Sequence, residues 1–217
     1  MIVQIYEVSN PKQAKELKKL GVNYIGVLVG KGDYARELSF DKTRAIFNVL
    51  SKETKKVALS LSSNLDGVLE VIEQANPDII HIATLPENIN PSDIKTIRQK
   101  FPHVKVMRTI PVVDEESIDL AKEYDKIADY LLLDSHKKDD SQIGATGQTH
   151  DWGISKKIVE SVKIPVILAG GLGPDNVDEA IKIVKPAGVD SKTKTDRTDG
   201  KGKDLEKVKE FVIKARK

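Results

Sequence analysis

Residues 166–177 read Val166-Ile167-Leu168-Ala169-Gly170-Gly171-Leu172-Gly173-Pro174-Asp175-Asn176-Val177. The opening run is aliphatic with no polar residue between. That fits a strand buried on both faces, as in parallel sheets covered by helices. Gly170 and Gly171 end the run and free the backbone for a tight turn. Gly173-Pro174-Asp175 then supplies a helix start, with proline in the first turn where its missing N–H costs nothing. The spacing predicts a helix over 174–184, so the stretch holds one complete βα junction.

The same junction recurs along the rest of the chain. Apolar runs lie at Ile2–Tyr6, Tyr24–Val29, Val57–Leu61, Ile79–Ile82, Val104–Met107, Tyr130–Leu133, Val166–Leu168 and Gly188–Val189. Helical patterns fall between them, near 11–20, 40–51, 65–75, 91–100, 115–124, 153–162, 174–184 and 203–215. Ser9-Asn10-Pro11 and Asn90-Pro91-Ser92 repeat the polar cap followed by proline. Gly21, after Lys18-Lys19-Leu20, reads as a helix stop. Eight units in 217 residues leave about 27 each, compact but adequate for a closed barrel. A doubly wound sheet would carry a glycine-rich loop after its first strand. Here that place holds Glu7-Val8-Ser9-Asn10. The expectation is an α/β fold, a single (β/α)8 TIM barrel domain over 1–217 with eight parallel strands.

Composition narrows the function. At 39% hydrophobic and 31% charged, the chain is too apolar for disorder and too charged for a membrane bundle. The 35 basic and 33 acidic residues are interleaved, which supports neither a nucleic-acid nor a membrane partner. The N-terminus lacks a signal-peptide pattern, so a cytoplasmic location is expected. Cysteine is absent, which excludes disulfides, thiolate metal sites and a cysteine base. His81, His103, His136 and His150 share no metal-ligand spacing, and no nucleotide fingerprint occurs; neither metal nor cofactor is expected.

In a barrel, chemistry sits at the C-terminal ends of strands and in the loops after them. Gly170-Gly171 and Lys192-Thr193-Lys194 suit a phosphate, through close-approaching N–H groups and added cations; alternatively the glycines make only a tight connection. Asp134 ends an apolar run, where a carboxyl can act as acid or base; equally, it caps a loop or pairs with Lys137 or Lys138. The loop 144–152 offers donors from Thr146 and Gln148, while Asp151 reads as a helix cap and Trp152 as packing. His81 has the parity to face the barrel interior.

Three segments in order carry a resemblance: Leu131-Leu132-Leu133-Asp134-Ser135, Gly144-Ala145-Thr146-Gly147-Gln148-Thr149-His150-Asp151-Trp152, and Leu168 to Val177. They resemble the LLLDS-, GGTGKTFDW- and LAGGLNPENV-type motifs of the phosphoribosylanthranilate isomerase family. The likeness spans the chain and is strongest over about 131–190. It implies a (β/α)8 barrel and an Amadori rearrangement in tryptophan biosynthesis. An acid protonates the ribose ring oxygen, and a base removes the C2′ proton to give an enolamine and then the ketose. By position, Asp134 would be the acid and Arg36 would face the anthranilate carboxylate. Gly144, Thr146, Gly147, Gly170, Gly171, Lys192 and Thr193 would hold the phosphate. The family's base is a cysteine where this chain has Tyr6, followed by Glu7 in a glycine's place. His81 stands for a glutamine and Ala83 for a histidine. Glu7 is the carboxylate nearest the lost base, and His81 and Arg108 are further candidates to line the substrate. The partner implied is a phosphorylated small molecule, bound by a monomer or homodimer. Two readings remain: an isomerase with a substituted base, or a barrel that binds an anionic phosphometabolite without this activity.

Overall fold

A computed structural model describes residues 1–136 and 147–217. The elements run β1 (Ile2–Ile5), α1 (Pro11–Lys19), β2 (Tyr24–Leu28), α2 (Phe40–Phe47), β3 (Lys55–Ser60), α3 (Leu65–Ala75), β4 (Ile79–Ile82) and α4 (Pro91–Lys100). They continue with β5 (Lys105–Val112), α5 (Glu116–Tyr124), β6 (Tyr130–Ser135), α6 (Trp152–Ser161), β7 (Val166–Leu168), α7 (Val177–Val184), β8 (Gly188–Ser191) and α8 (Leu205–Ala215). Every strand pairs in parallel with its sequence neighbours, and β1 closes on β8. This is the expected (β/α)8 barrel.

Local chemistry accounts for the helix starts. The Asn10 side chain accepts from Gln13 N–H with Pro11 at the first helical position, and Asn90 and Asp93 form a reciprocal capping box. Asp151 accepts from Gly153 and Ile154 N–H, while Trp152 packs against the core. Several boundaries differ from expectation: α2 ends at Phe47 rather than at 51, and β5 runs on to Val112 rather than ending at Met107. α7 begins at Val177, not Pro174. Asn176 spends its side chain on the preceding turn, accepting from Gly173 N–H at 2.9 Å and donating to the Gly171 carbonyl at 3.2 Å. The turn residues therefore belong to the strand-seven loop.

Alternation along each strand sorts side chains into two layers. Val3, Ile5, Ile80, Ile82, Leu131 and Leu133 face the helices. Tyr24, Val57, Ile79, Met107, Leu132 and Ile167 face inward and fill the barrel floor. The next inward positions toward the C-terminal ends are Tyr6, His81, Thr109, Asp134 and Asp190, and there the interior turns polar.

Candidate active site

The C-terminal mouth holds a cavity of about 220 Å³. Its walls include Tyr6 and Glu7 from the end of β1, His81 from β4, Thr109 from β5, and Asp134 from β6. Gly147, Gly170 and Gly171 line it as well, together with Asp190, Lys192, Thr193 and Lys194 from β8 and its loop. The loops after β7 and β8 thus meet at one end of the barrel. They are in direct contact, since Ser191 Oγ donates to the Leu172 carbonyl at 2.7 Å. A Cβ on Gly173 would stand 2.7 Å from Lys194 Cβ.

The glycine pair is a backbone requirement. Gly170 and Gly171 have φ of +78° and +61°. A Cβ at Gly171 would lie 2.7 Å from the Gln148 carbonyl carbon, and one at Gly170 would lie 2.7 Å from His150 Nδ1. Only glycine fits both demands.

Two carboxyls face the cavity from apolar walls. Burial pushes Asp134 up to about 6, although the Ser135 N–H, 2.8 Å from Oδ1, opposes that rise. Burial and then the Asp134 charge push Asp190 up to about 8. Asp190 Oδ1 has no hydrogen-bond partner among the described residues. Two acids in one low-dielectric cavity retain a proton to higher pH than either would in water.

Across the mouth runs a chain of ion pairs. Lys203 Nζ holds Asp196 Oδ1 at 2.6 Å, and Asp196 Oδ2 accepts from Arg36 Nη1 at 2.9 Å. Arg36 Nη1 also donates to Glu7 Oε2 at 2.7 Å, and Glu7 Oε1 holds Lys192 Nζ at 2.6 Å. The chain joins three cations to two carboxylates. Glu7 and Arg36 both sit at left-handed φ, +57° and +70°. That geometry costs a residue with a side chain roughly 1–2 kcal/mol, and functional sites are where such strain collects.

Deeper in the wall, Tyr6 and His81 are hydrogen-bonded through the phenol and Nδ1. His81 Nε2 meets Thr109 Oγ1 at 2.5 Å. Burial, then the Arg108 charge, push His81 down to about 3, so its imidazole is neutral. Burial and Asp190 hold Tyr6 well above the usual phenol range.

Placed against the sequence, Asp134, Glu7, His81, Gly147, Gly170, Gly171, Lys192 and Thr193 all line the cavity. Arg36 stands at its rim through Glu7 and Asp196. Gly144 and Thr146 lie outside the described residues. Arg108 is the correction. It is fully buried on the helix side of β5, donating to the Ile82 carbonyl at 2.9 Å and lying 5.3 Å from the Tyr124 ring. Strand alternation turns Thr109 inward and so sends Arg108 out. Lys194, expected beside the phosphate, lines the cavity too, and so do Tyr6, Thr109 and Asp190, to which no role was assigned. Alternation within β5 and β8, once the register is known, turns Thr109 and Asp190 inward.

Comparisons with known proteins agree with this geometry. Residues 3–214 match the family model described as N-(5′phosphoribosyl)anthranilate (PRA) isomerase. The chain is 33% identical over 214 residues to N-(5′-phosphoribosyl)anthranilate isomerase of Methanocella arvoryzae, covering 99% of this chain and 97% of that one. It is 31% identical over 218 residues to the protein of the same name from Methanocaldococcus jannaschii, covering 97% and 94%. The solved structure of that isomerase from Pyrococcus furiosus aligns with a TM-score of 0.79 at 28% identity, covering 100% of this chain and 98% of that one.

Proposed function

The chain belongs to the N-(5′-phosphoribosyl)anthranilate isomerase family, and from that premise we propose that it performs the family's aldose-to-ketose rearrangement, in tryptophan biosynthesis. The observation that carries the proposal is Asp134, a half-buried carboxyl raised to about 6 that shares one cavity with the glycine pair and the strand-eight cations.

The roles follow from chemistry. The phosphate sits among Gly147, Gly171, Thr193, Lys192 and Lys194, where backbone approach and positive charge coincide. Arg36, at the rim, meets the anthranilate carboxylate. Both anions compete with the resting partners of these cations, so substrate entry loosens the grip of Glu7 on Lys192 and Arg36. Glu7 is a placeholder that keeps the cations in position before substrate arrives. Asp134 then donates its proton to the ribose ring oxygen, and the ring opens to an iminium. Its raised pKa keeps the proton available near neutral pH, where an ordinary carboxyl would have lost it.

The test is turnover of phosphoribosylanthranilate by the purified protein, followed by loss of anthranilate-type fluorescence, together with rescue of a strain lacking the isomerase. Turnover and rescue sustain the proposal. Tight binding of a reduced substrate analogue without turnover would instead favour a barrel that binds a phosphometabolite. Glu7, whose two oxygens are both taken by cations, is the feature that would fit that second reading.

A further inference from the structure

Resting on the isomerase reading, we propose that Tyr6 is the group that removes the C2′ proton, with His81 as its proton acceptor and Thr109 as the residue that positions the imidazole. The chain has no thiol to do this work. The Tyr6 phenol, His81 Nδ1, His81 Nε2 and Thr109 Oγ1 form one continuous hydrogen-bonded line from the cavity into the wall. Tyr6, His81 and Thr109 come from β1, β4 and β5 and are 4%, 3% and 1% exposed. With Nε2–H donating to Thr109, Nδ1 presents its lone pair to the phenol. Hydroxyl, imidazole and orienting oxygen in series is the arrangement that activates a hydroxyl group.

Two further observations single out Tyr6. Its ring lies over Gly26 of β2, where a Cβ would come within 2.2 Å of ring carbons, so the neighbouring strand leaves room for it. Glu7, the other candidate base, has Oε1 held by Lys192 and Oε2 by Arg36.

The step balances. After Asp134 has protonated the ring oxygen and the ring has opened, the C2′–H bond breaks. Its electron pair becomes the C1′=C2′ bond, and the C1′=N pair returns to nitrogen. The proton passes to the Tyr6 oxygen as the phenolic proton passes to His81 Nδ1, leaving neutral phenol and imidazolium. In the free protein burial disfavours that imidazolium. In the reaction the Asp134 carboxylate, anionic after the first step, faces the same cavity and offsets the penalty. Ketonisation reverses both charges. His81 returns its proton through Tyr6 to C1′, and the enol O–H returns one to Asp134.

The experiment compares the wild-type protein with Tyr6→Phe, His81→Gln, Thr109→Val and Glu7→Gln, using phosphoribosylanthranilate. Tyr6→Phe keeps the ring over Gly26. It is expected to lower kcat at least about 100-fold with KM within about threefold. His81→Gln should match it, and Thr109→Val should lower kcat about tenfold and move the pH–kcat profile, which a packing defect would not do. Near-wild-type kcat in Tyr6→Phe, with loss in Glu7→Gln, would assign the base to Glu7 and overturn the proposal alone. If Tyr6→Phe fails to fold, unchanged kcat and pH profile in both His81→Gln and Thr109→Val overturn it instead. No turnover by the wild type beside a working control enzyme removes the isomerase reading and this proposal together.

Discussion

The two halves of the barrel mouth are built differently. The half from β6 to β8 is made of local devices: a carboxyl ending an apolar strand, a glycine pair at φ +78° and +61°, and a Lys-Thr-Lys loop. The half from β1 to β4 is made of side chains held by distant partners. Tyr6 reaches His81, 75 residues away, and Arg36 reaches Asp196, 160 residues away. The first half spends backbone geometry to bind. The second spends hydrogen bonds and ion pairs to aim protons and cations. The two halves are joined across the mouth by the Lys192–Glu7 and Arg36–Asp196 ion pairs, so a change in the second half reaches the cations of the first.

The sharpest way to break this division is at Asp134, the proton donor on the binding side. Asp134→Asn should lower kcat about 1000-fold, since an amide cannot transfer the proton, while the thermal midpoint at pH 8 is held or raised. Full activity in the variant would remove Asp134 from the chemistry.

Gly171→Ala tests whether that half works through its backbone. The new Cβ meets the Gln148 carbonyl carbon at 2.7 Å in a left-handed conformation. KM should rise at least about tenfold, with roughly 1–2 kcal/mol lost in stability. Gly32→Ala is the control, because Gly32 has φ of +98° and, among the described residues, nothing within 4 Å of a new Cβ. It should cost stability by strain alone and leave KM where it was. Equal KM in both variants would sever Gly171 from ligand binding.

On the other half, Glu7→Gln weakens the carboxylate that holds Lys192 and Arg36. The expected result is a KM change of several-fold with kcat within about threefold, read by steady-state kinetics. A kcat collapse with KM unchanged would make Glu7 part of the proton path.

The smallest effect concerns stability at Asp190, whose folded-state pKa is raised to about 8. A raised carboxyl stabilises the fold fully only below its unfolded value near 4, and that contribution is lost as pH rises through the folded value. Asp190→Asn escapes the loss. Its thermal midpoint should equal that of the wild type at pH 4 and exceed it by about 3 °C or more at pH 9. A difference independent of pH would place the Asp190 pKa near its ordinary value.

What could be read from the chain alone was whatever is written in short range. The β-branched runs, the Asn10 and Asn90 caps and the alternation of strand and helix specify eight βα units. Eight such units with buried strands lead to a closed barrel. Asp134 and Gly170-Gly171 were legible for the same reason, because each sits where a strand pattern stops. α7 starts three residues later than the Gly-Pro-Asp pattern predicts, because Asn176 bonds backward to Gly171 and Gly173 in place of capping forward. Arg108 lies in the wall and not in the mouth, because β5 continues past it to Val112 and alternation turns it to the helix side. Tertiary structure alone decided the partners of Tyr6, Glu7 and Arg36. Their hydrogen bonds and ion pairs cross from one strand end to another, and only closure of the barrel brings those ends within reach.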